Sequence, residues 1–257
     1  MLKDLRTQVD IVKALTIHEL SGKMKTLNYG YVWLILEPII YIAFIRLARI
    51  AFNPIAPPDN MPPLTFYTLG VIPTFLCFDV INKTFGVAGS SSGLLIFPRV
   101  TPVDLALATG FTSFCIYFTL FWVLLLPVSI FEGVWPPKDL FSLMATFIAI
   151  FVLSSALGFI LSGAYRVFPL MTKFWTMIHR ALKMVSGMFF VITMIPFPYW
   201  PYFTWNPLFH LSEMMRDAWF QSYHSPIASP LYVAKWTLVS LLLGLSVERF
   251  MRRIPYV

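Results

Sequence analysis

The sequence predicts an all-α integral membrane protein, and three observations carry that prediction. Of its 257 residues 58% are hydrophobic and 12% are charged, where soluble domains carry about 25% charged residues. Six apolar segments, 29–52, 64–88, 103–131, 138–163, 173–195 and 230–248, are long enough to cross a bilayer, which takes ~20 helical residues. The pieces outside them are short and unequally basic. A water-soluble globule, a disordered tail and a disulfide-built secreted scaffold are all excluded. Cys77 and Cys115 lie inside apolar runs, so no disulfide is expected.

Lys and Arg set the orientation of the spans. Ten of the 19 lie in 1–28, 89–102, 164–172 and 249–257, whereas 53–63, 132–137 and 196–229 together hold Arg216 alone. The positive-inside rule then puts both termini in the cytoplasm, in keeping with an even number of spans. Residues 1–28 lack the basic, apolar and small-residue order of a cleaved signal peptide, so the first span is expected to stay. Spans three and four are parted only by Phe131-Glu132-Gly133-Val134-Trp135-Pro136-Pro137, a turn signal that makes them a helical hairpin. The +7 net charge needs no nucleic acid, because cytoplasmic loops facing anionic lipid account for it. The chain thus reads as an interface helix, 1–28, and a membrane domain, 29–257.

Two segments outside the spans have character of their own. Over 2–20, Leu2, Leu5, Val9, Val12 and Leu20 share one helical face, with Lys3, Asp10 and His18 opposite and Lys13 at the edge. This is either a helix lying in the membrane interface or one that also docks a cytoplasmic partner. The stretch 196–229 carries ten aromatic residues in 34, among them Trp200, Tyr202 and Trp205. Pro196, Pro198 and Pro201 break any helix at its start, and Asn206-Pro207 reads as an N-cap with proline at the first helical position. A short helix over about 207–220 should follow, with Leu208, Leu211, Met215 and Trp219 on one side. The segment is expected to be a re-entrant outer hairpin, either an aromatic belt at headgroup level or a platform for stacking sugars.

Charge inside a span is costly, on the order of 3 kcal/mol on insertion scales. Asp79 and Lys83, at i,i+4, form a self-neutralising pair. In the first span Glu37-Pro38 should kink the helix. Arg46 and Arg49 lie beyond that kink and out of phase with Glu37, so they should line a wet interior or meet another chain. The fifth span carries His179, Arg180 and Lys183 on one stripe with Thr176 and Gly187, and no acid on the same helix. Snorkelling to headgroups is one explanation. A basic entrance for a phosphorylated or carboxylated substrate is the other.

Several chemistries are missing. No phosphate-binding G-x-x-x-x-G-K-[ST] loop occurs, and the pieces outside the spans are too short for an ATPase domain. His18-Glu19-Leu20-Ser21-Gly22 has glycine where a zinc protease needs its second histidine, and no metal-type Cys/His cluster is present. No catalytic residue, metal site or cofactor is assigned to this chain.

Four elements stand in order along the chain: Gly30-Tyr31-Val32-Trp33 running into Leu36-Glu37-Pro38, then Phe97-Pro98-Arg99-Val100-Thr101-Pro102, then Phe168-Pro169-Leu170-Met171, and last Trp205-Asn206-Pro207-Leu208 with Arg216 beyond. On these the sequence resembles the membrane subunit of type-2 ABC exporters, and within them the permease of bacterial capsular-polysaccharide exporters. The resemblance implies six membrane helices, a homodimer, and two copies of a separate ATPase that holds ATP and Mg. It implies that His18, Glu19, Leu20, Pro98 and Arg99 meet the ATPases, and that spans one and five of both subunits form the conduit. It implies an inner-membrane location, a lipid-linked polysaccharide as cargo, surrounding membrane lipids and room for a periplasmic polysaccharide co-polymerase. On this reading Trp33, Tyr41, His179, Arg180 and Lys183 line the pathway, and Trp200, Tyr202, Trp205, Asn206, Pro207 and Arg216 form the exit; Arg46 and Arg49 lie outside the matching pattern and are set in the pathway by their depth in the span alone. Type-2 exporters of O-antigen, teichoic acid or drugs are alternatives, as is a membrane-embedded transferase acting on lipid-linked sugars.

Overall fold

The computed structural model describes residues 2–25, 29–52, 58, 61–87 and 100–251. Among these, all regular structure is helical: α1 (Leu2–Lys25), α2 (Tyr29–Phe52), α3 (Pro63–Gly86), α4 (Pro102–Phe131), α5 (Leu140–Val167), α6 (Met171–Val185), the single turn α7 (Pro201–Thr204), α8 (Pro207–Trp219) and α9 (Pro230–Met251). Short 3-10 turns at Ile192–Met194 and Phe197–Tyr199 separate α6 from α7. Four of the described helices, α3, α4, α5 and α9, are long and apolar enough to cross a membrane. The expected spans 29–52, 64–88, 103–131 and 230–248 match α2, α3, α4 and α9 to within three residues, while 138–163 is shifted, its helix running on to Val167. The fifth span needs a larger correction. In place of a helix over 173–195, α6 ends at Val185 and irregular chain takes over.

Helix α3 is the centre of the fold, buried along almost all its length from Thr65 to Phe85. It packs against α4, α5 and α8, and α5 in turn lies along α9. Side chains beyond the helices close their ends. Glu132, in the turn after α4, accepts hydrogen bonds from the free N–H groups of Leu64 (3.0 Å) and Thr65 (2.8 Å) at the start of α3. Thr101 and Asp104 form a capping box on α4, with Pro102 in the first turn. Asp139 caps α5 through Ser142 N–H at 3.1 Å. The Lys138 and Asp139 N–H groups reach the Trp219 and Ala218 carbonyls, at 3.1 and 2.9 Å, and so dock the α4–α5 turn on the end of α8.

Polar groups within the spans find local partners, as an apolar environment demands. Thr68, Thr74, Thr112, Thr146 and Ser154 each donate to the carbonyl four residues back. Asp79 and Lys83 pair at 2.9 Å, and Lys83 also donates to Ser113 Oγ at 2.6 Å. Cys77 and Cys115 are free thiols. Helix α1 packs on α4 through Leu15 and Thr16, which are buried, with Val12 and Glu19 half-buried beside them. Among the described side chains the contact stripe includes 12, 15, 16 and 19, so it takes in Val12 of the expected apolar face and adds Leu15; the side chains of Leu2, Leu5, Val9 and Leu20 lie outside the described residues.

Candidate functional site

Helix α6 has 15 residues, a rise of ~22 Å against a hydrocarbon core of ~30 Å. It ends at Ser186 and Gly187, whose φ of 75° turns the chain out of the helix. Gly187 therefore lies in the turn and not on the α6 stripe where the sequence placed it. A side chain there would sit 2.8 Å from Phe209 Cδ2. The chain that follows is deeply placed, with Met188, Val191 and Ile192 buried. Its peptide groups need partners, because a broken helix at depth has no water to turn to.

Helix α8 supplies them. Arg216, fully buried, donates from Nη1 to the Gly187 carbonyl at 2.7 Å and the Phe190 carbonyl at 3.0 Å, and from Nη2 to the Met188 carbonyl at 3.1 Å. Its guanidinium carbon lies 4.2 Å from the centre of the Phe66 ring. Glu213, also fully buried, accepts from Ile192 N–H at 3.0 Å, Ser225 Oγ at 2.6 Å and the Tyr223 hydroxyl at 2.5 Å. Ser212 donates to the Ser186 carbonyl at 2.8 Å. Asn206 caps α8 by accepting from Leu208 N–H at 3.0 Å, and its Nδ2 donates to Ser186 Oγ at 3.2 Å. Gly70 of α3 is the close-approach point. A methyl group there would collide with the Met188 carbonyl oxygen and the Arg216 guanidinium.

The expected short helix over 207–220 is present as α8, with its cap and its proline in place. It is buried on more sides than the single apolar face that was expected. The residues grouped as an exit divide accordingly. Asn206, Pro207 and Arg216 are buried, whereas Tyr202 and Trp205 are 69% and 52% exposed and Trp200 is half-buried. Trp200 and Trp205 donate their indole N–H to the Ile195 and Tyr202 carbonyls, at 2.9 and 2.8 Å, which fixes both rings. His210 has one ring nitrogen 2.8 Å from the Thr204 carbonyl and the other 2.8 Å from the Ile227 carbonyl, tying α7 to the chain before α9.

None of the residues of α6 is buried. One face is apolar and open, with Phe174, Met177, Ile178 and Met184 all exposed; another presents Thr172, Lys173, Thr176 and Arg180, exposed as well. Toward the body, His179 and Lys183 are half-buried against α3. The Lys183 ammonium sits 4.3 Å from the centre of the Phe75 ring and 5.7 Å from that of Phe78, a cation–π arrangement. Tyr41 of α2 meets Phe75 edge-on at 5.3 Å, so Tyr41, His179 and Lys183 are brought into one neighbourhood by α3. Phe78, Trp175 and His179 form a triangle of rings with centroids 6.0 to 6.4 Å apart, and Trp175 Nε1 donates to Asn82 Oδ1 at 2.6 Å. Arg46 is half-buried on α2. The side chains of Trp33, Arg49 and Leu20, and all of Pro98 and Arg99, lie outside the described residues. Of the other positions expected to meet an ATPase, His18 is exposed and Glu19 half-buried.

Sequence reasoning missed Phe75, Phe78 and Trp175, the rings against Lys183 and His179, and Glu213, the acid beside Arg216 on α8. The available signals were Trp175 four residues before His179 and Glu213 three before Arg216, each pair on one helical face.

No protein-family model matches the chain. It is 29% identical over 239 residues to the polysialic acid transport protein KpsM of Escherichia coli, covering 93% of this chain and 92% of that one. It is 24% identical over 249 residues to the capsule polysaccharide export inner-membrane protein CtrC of Neisseria meningitidis, covering 96% and 92%. Against BexB of Haemophilus influenzae, also a capsule polysaccharide export inner-membrane protein, identity is 23% over 248 residues, covering 95% and 91%. Over nearly its whole length, the chain is similar to proteins named for polysialic acid transport and for capsule polysaccharide export at the inner membrane.

Proposed function

We propose that this chain is the conduit-forming membrane subunit of an exporter that carries lipid-linked, anionic capsular polysaccharide across the inner membrane. A separate ATPase drives it. The observation that carries the reading is the surface of α6. A helix exposed on an apolar face and on a face bearing Lys173 and Arg180 cannot turn both to lipid, because cations at membrane depth face protein or water. A second copy of the chain gives the polar face a water-filled seam between the subunits. On this reading α2 to α6 and α9 make six passages, with both termini in the cytoplasm and the chain from 196 to 229 as the re-entrant outer element. Residues 1–28 and the loop holding Pro98 and Arg99 meet the ATPases. Arg180 and Lys183 attract the acidic linker or lipid phosphate, while Tyr41 within the conduit and Tyr202 and Trp205 at the exit give stacking faces to a moving sugar chain.

The test is Arg180→Ala combined with Lys183→Ala. Surface polysaccharide should fall at least several-fold while membrane protein level and co-purification of the ATPase stay normal. Normal surface polysaccharide would sink the entrance. Because Lys183 also packs on Phe75, Arg180→Glu alone is the cleaner companion variant and should act in the same direction.

A further inference from the structure

A large groove lies away from α6, between α1 and the first turns of α4. It is an open groove of about 650 Å3, within the ~300–1,000 Å3 range of ligand sites. Its walls are apolar: Val12 and Ile17 from α1, and Val103, Leu107 and Phe111 from α4. Ile17 is 63% and Phe111 43% exposed. Most polar groups at the rim are already committed. Thr16 donates to the Val12 carbonyl at 2.8 Å, and the buried Asp104 carboxylate accepts from Thr101 N–H and Oγ1 at 3.0 and 2.7 Å. Gln8 and Lys13 remain, both exposed, and Lys13 has no ion-pair partner among the described residues.

We infer that this groove seats one acyl chain of an anionic phospholipid, its phosphate held by the Lys13 ammonium. An apolar slot beside Lys13, which is unpaired among the described residues, matches an amphiphile with a negative head and an apolar tail. An extended polypeptide pairing its backbone along the rim would find only Gln8 and Lys13 uncommitted among the groove's described polar side chains. The inference rests on the reading above in one respect, that the Thr101 end of α4 faces the cytoplasmic leaflet. The lipid then fills the groove beside the direct α1–α4 contact, so the seating of the interface helix follows membrane composition.

The experiment is native mass spectrometry of the full-length chain in detergent with equal amounts of a dioleoyl phosphatidylglycerol and a dioleoyl phosphatidylcholine. One phosphatidylglycerol should be retained in preference. Lys13→Gln should weaken it about fivefold, the effect of one basic residue at an anionic surface; Lys13→Arg should preserve it, and Leu107→Trp, which fills the slot, should abolish it. Ile17→Asn, on the exposed wall, gives the same loss if the tryptophan variant fails to fold. Equal retention of both lipids, or wild-type binding in Lys13→Gln and Leu107→Trp, overturns the inference. So does loss of the ATPase subunit from these variants with lipid binding unchanged, which would make the groove a protein seat. Ile17→Cys reports separately on orientation. Labelling by an impermeant maleimide from outside intact spheroplasts would sink the topology while leaving the lipid result standing.

Discussion

Arg216 and Glu213 stand three residues apart on α8, yet each serves a different stretch of backbone. Arg216 holds the carbonyls of 187, 188 and 190, and Glu213 the N–H of Ile192 with the hydroxyls of Tyr223 and Ser225. The planar guanidinium spreads its donors over separate nitrogens and so spans three carbonyls; a lysine ammonium gathers its three donors on one nitrogen and cannot match that spread. Arg216→Lys should therefore cost on the order of 2–5 kcal/mol, as when a buried charge loses its partners. Gly70→Ala should act in the same direction by pushing Met188 and Arg216 apart. Both appear as loss of monodisperse protein and a lower thermal midpoint. Normal accumulation of Arg216→Lys with blocked export would instead mean that the residue handles cargo. This arginine was legible as special from its motif, but its role was not. Its partners are backbone oxygens 26 to 29 residues away, which leave no side-chain signature.

Among the elements, those with caps could be read and the one that stops early could not. Thr101-Pro102 and Asn206-Pro207 announce α4 and α8 through residue types that satisfy free N–H groups. The end of α6 has no such announcement. Residues 188–195, Met-Phe-Phe-Val-Ile-Thr-Met-Ile, are as apolar as any span, and only Ser186-Gly187 marks the break. Hydropathy measures where a segment is comfortable, not whether its backbone stays helical there. The two faces of α6 lead to a prediction at this scale. Single cysteines at Thr172, Thr176 and Arg180 should react with a water-soluble maleimide in the assembled transporter, whereas those at Phe174, Met177 and Ile178 should be protected by lipid. Uniform protection of both sets would mean that α6 lines no aqueous path.

Across the whole molecule, ionic contacts join elements distant in sequence at the end where α8 meets the α4–α5 turn. Partial burial opposes ionisation of Asp217. The Lys138 ammonium at 2.7 Å, the Ser225 N–H at 3.1 Å and His224 at 3.2 Å outweigh it and hold the carboxyl below its ordinary value. A depressed carboxylate stabilises the fold above its ordinary pKa of ~3.9 and loses that contribution as pH falls through the lower folded value. Lys138→Ala should therefore lower the thermal midpoint at pH 7, by about 1 kcal/mol or less for so exposed a pair. The difference from wild type should close as pH drops below ~4. The shortness of α6 has a further consequence, for biogenesis. A 15-residue helix trailing three unmatched carbonyls is a poor passenger in lipid until Arg216 has been synthesised, and Arg216 is a poor one until those carbonyls are waiting. The stretch from α6 to α8 must then leave the translocon as one unit, and a nascent chain halted between them should still be held there.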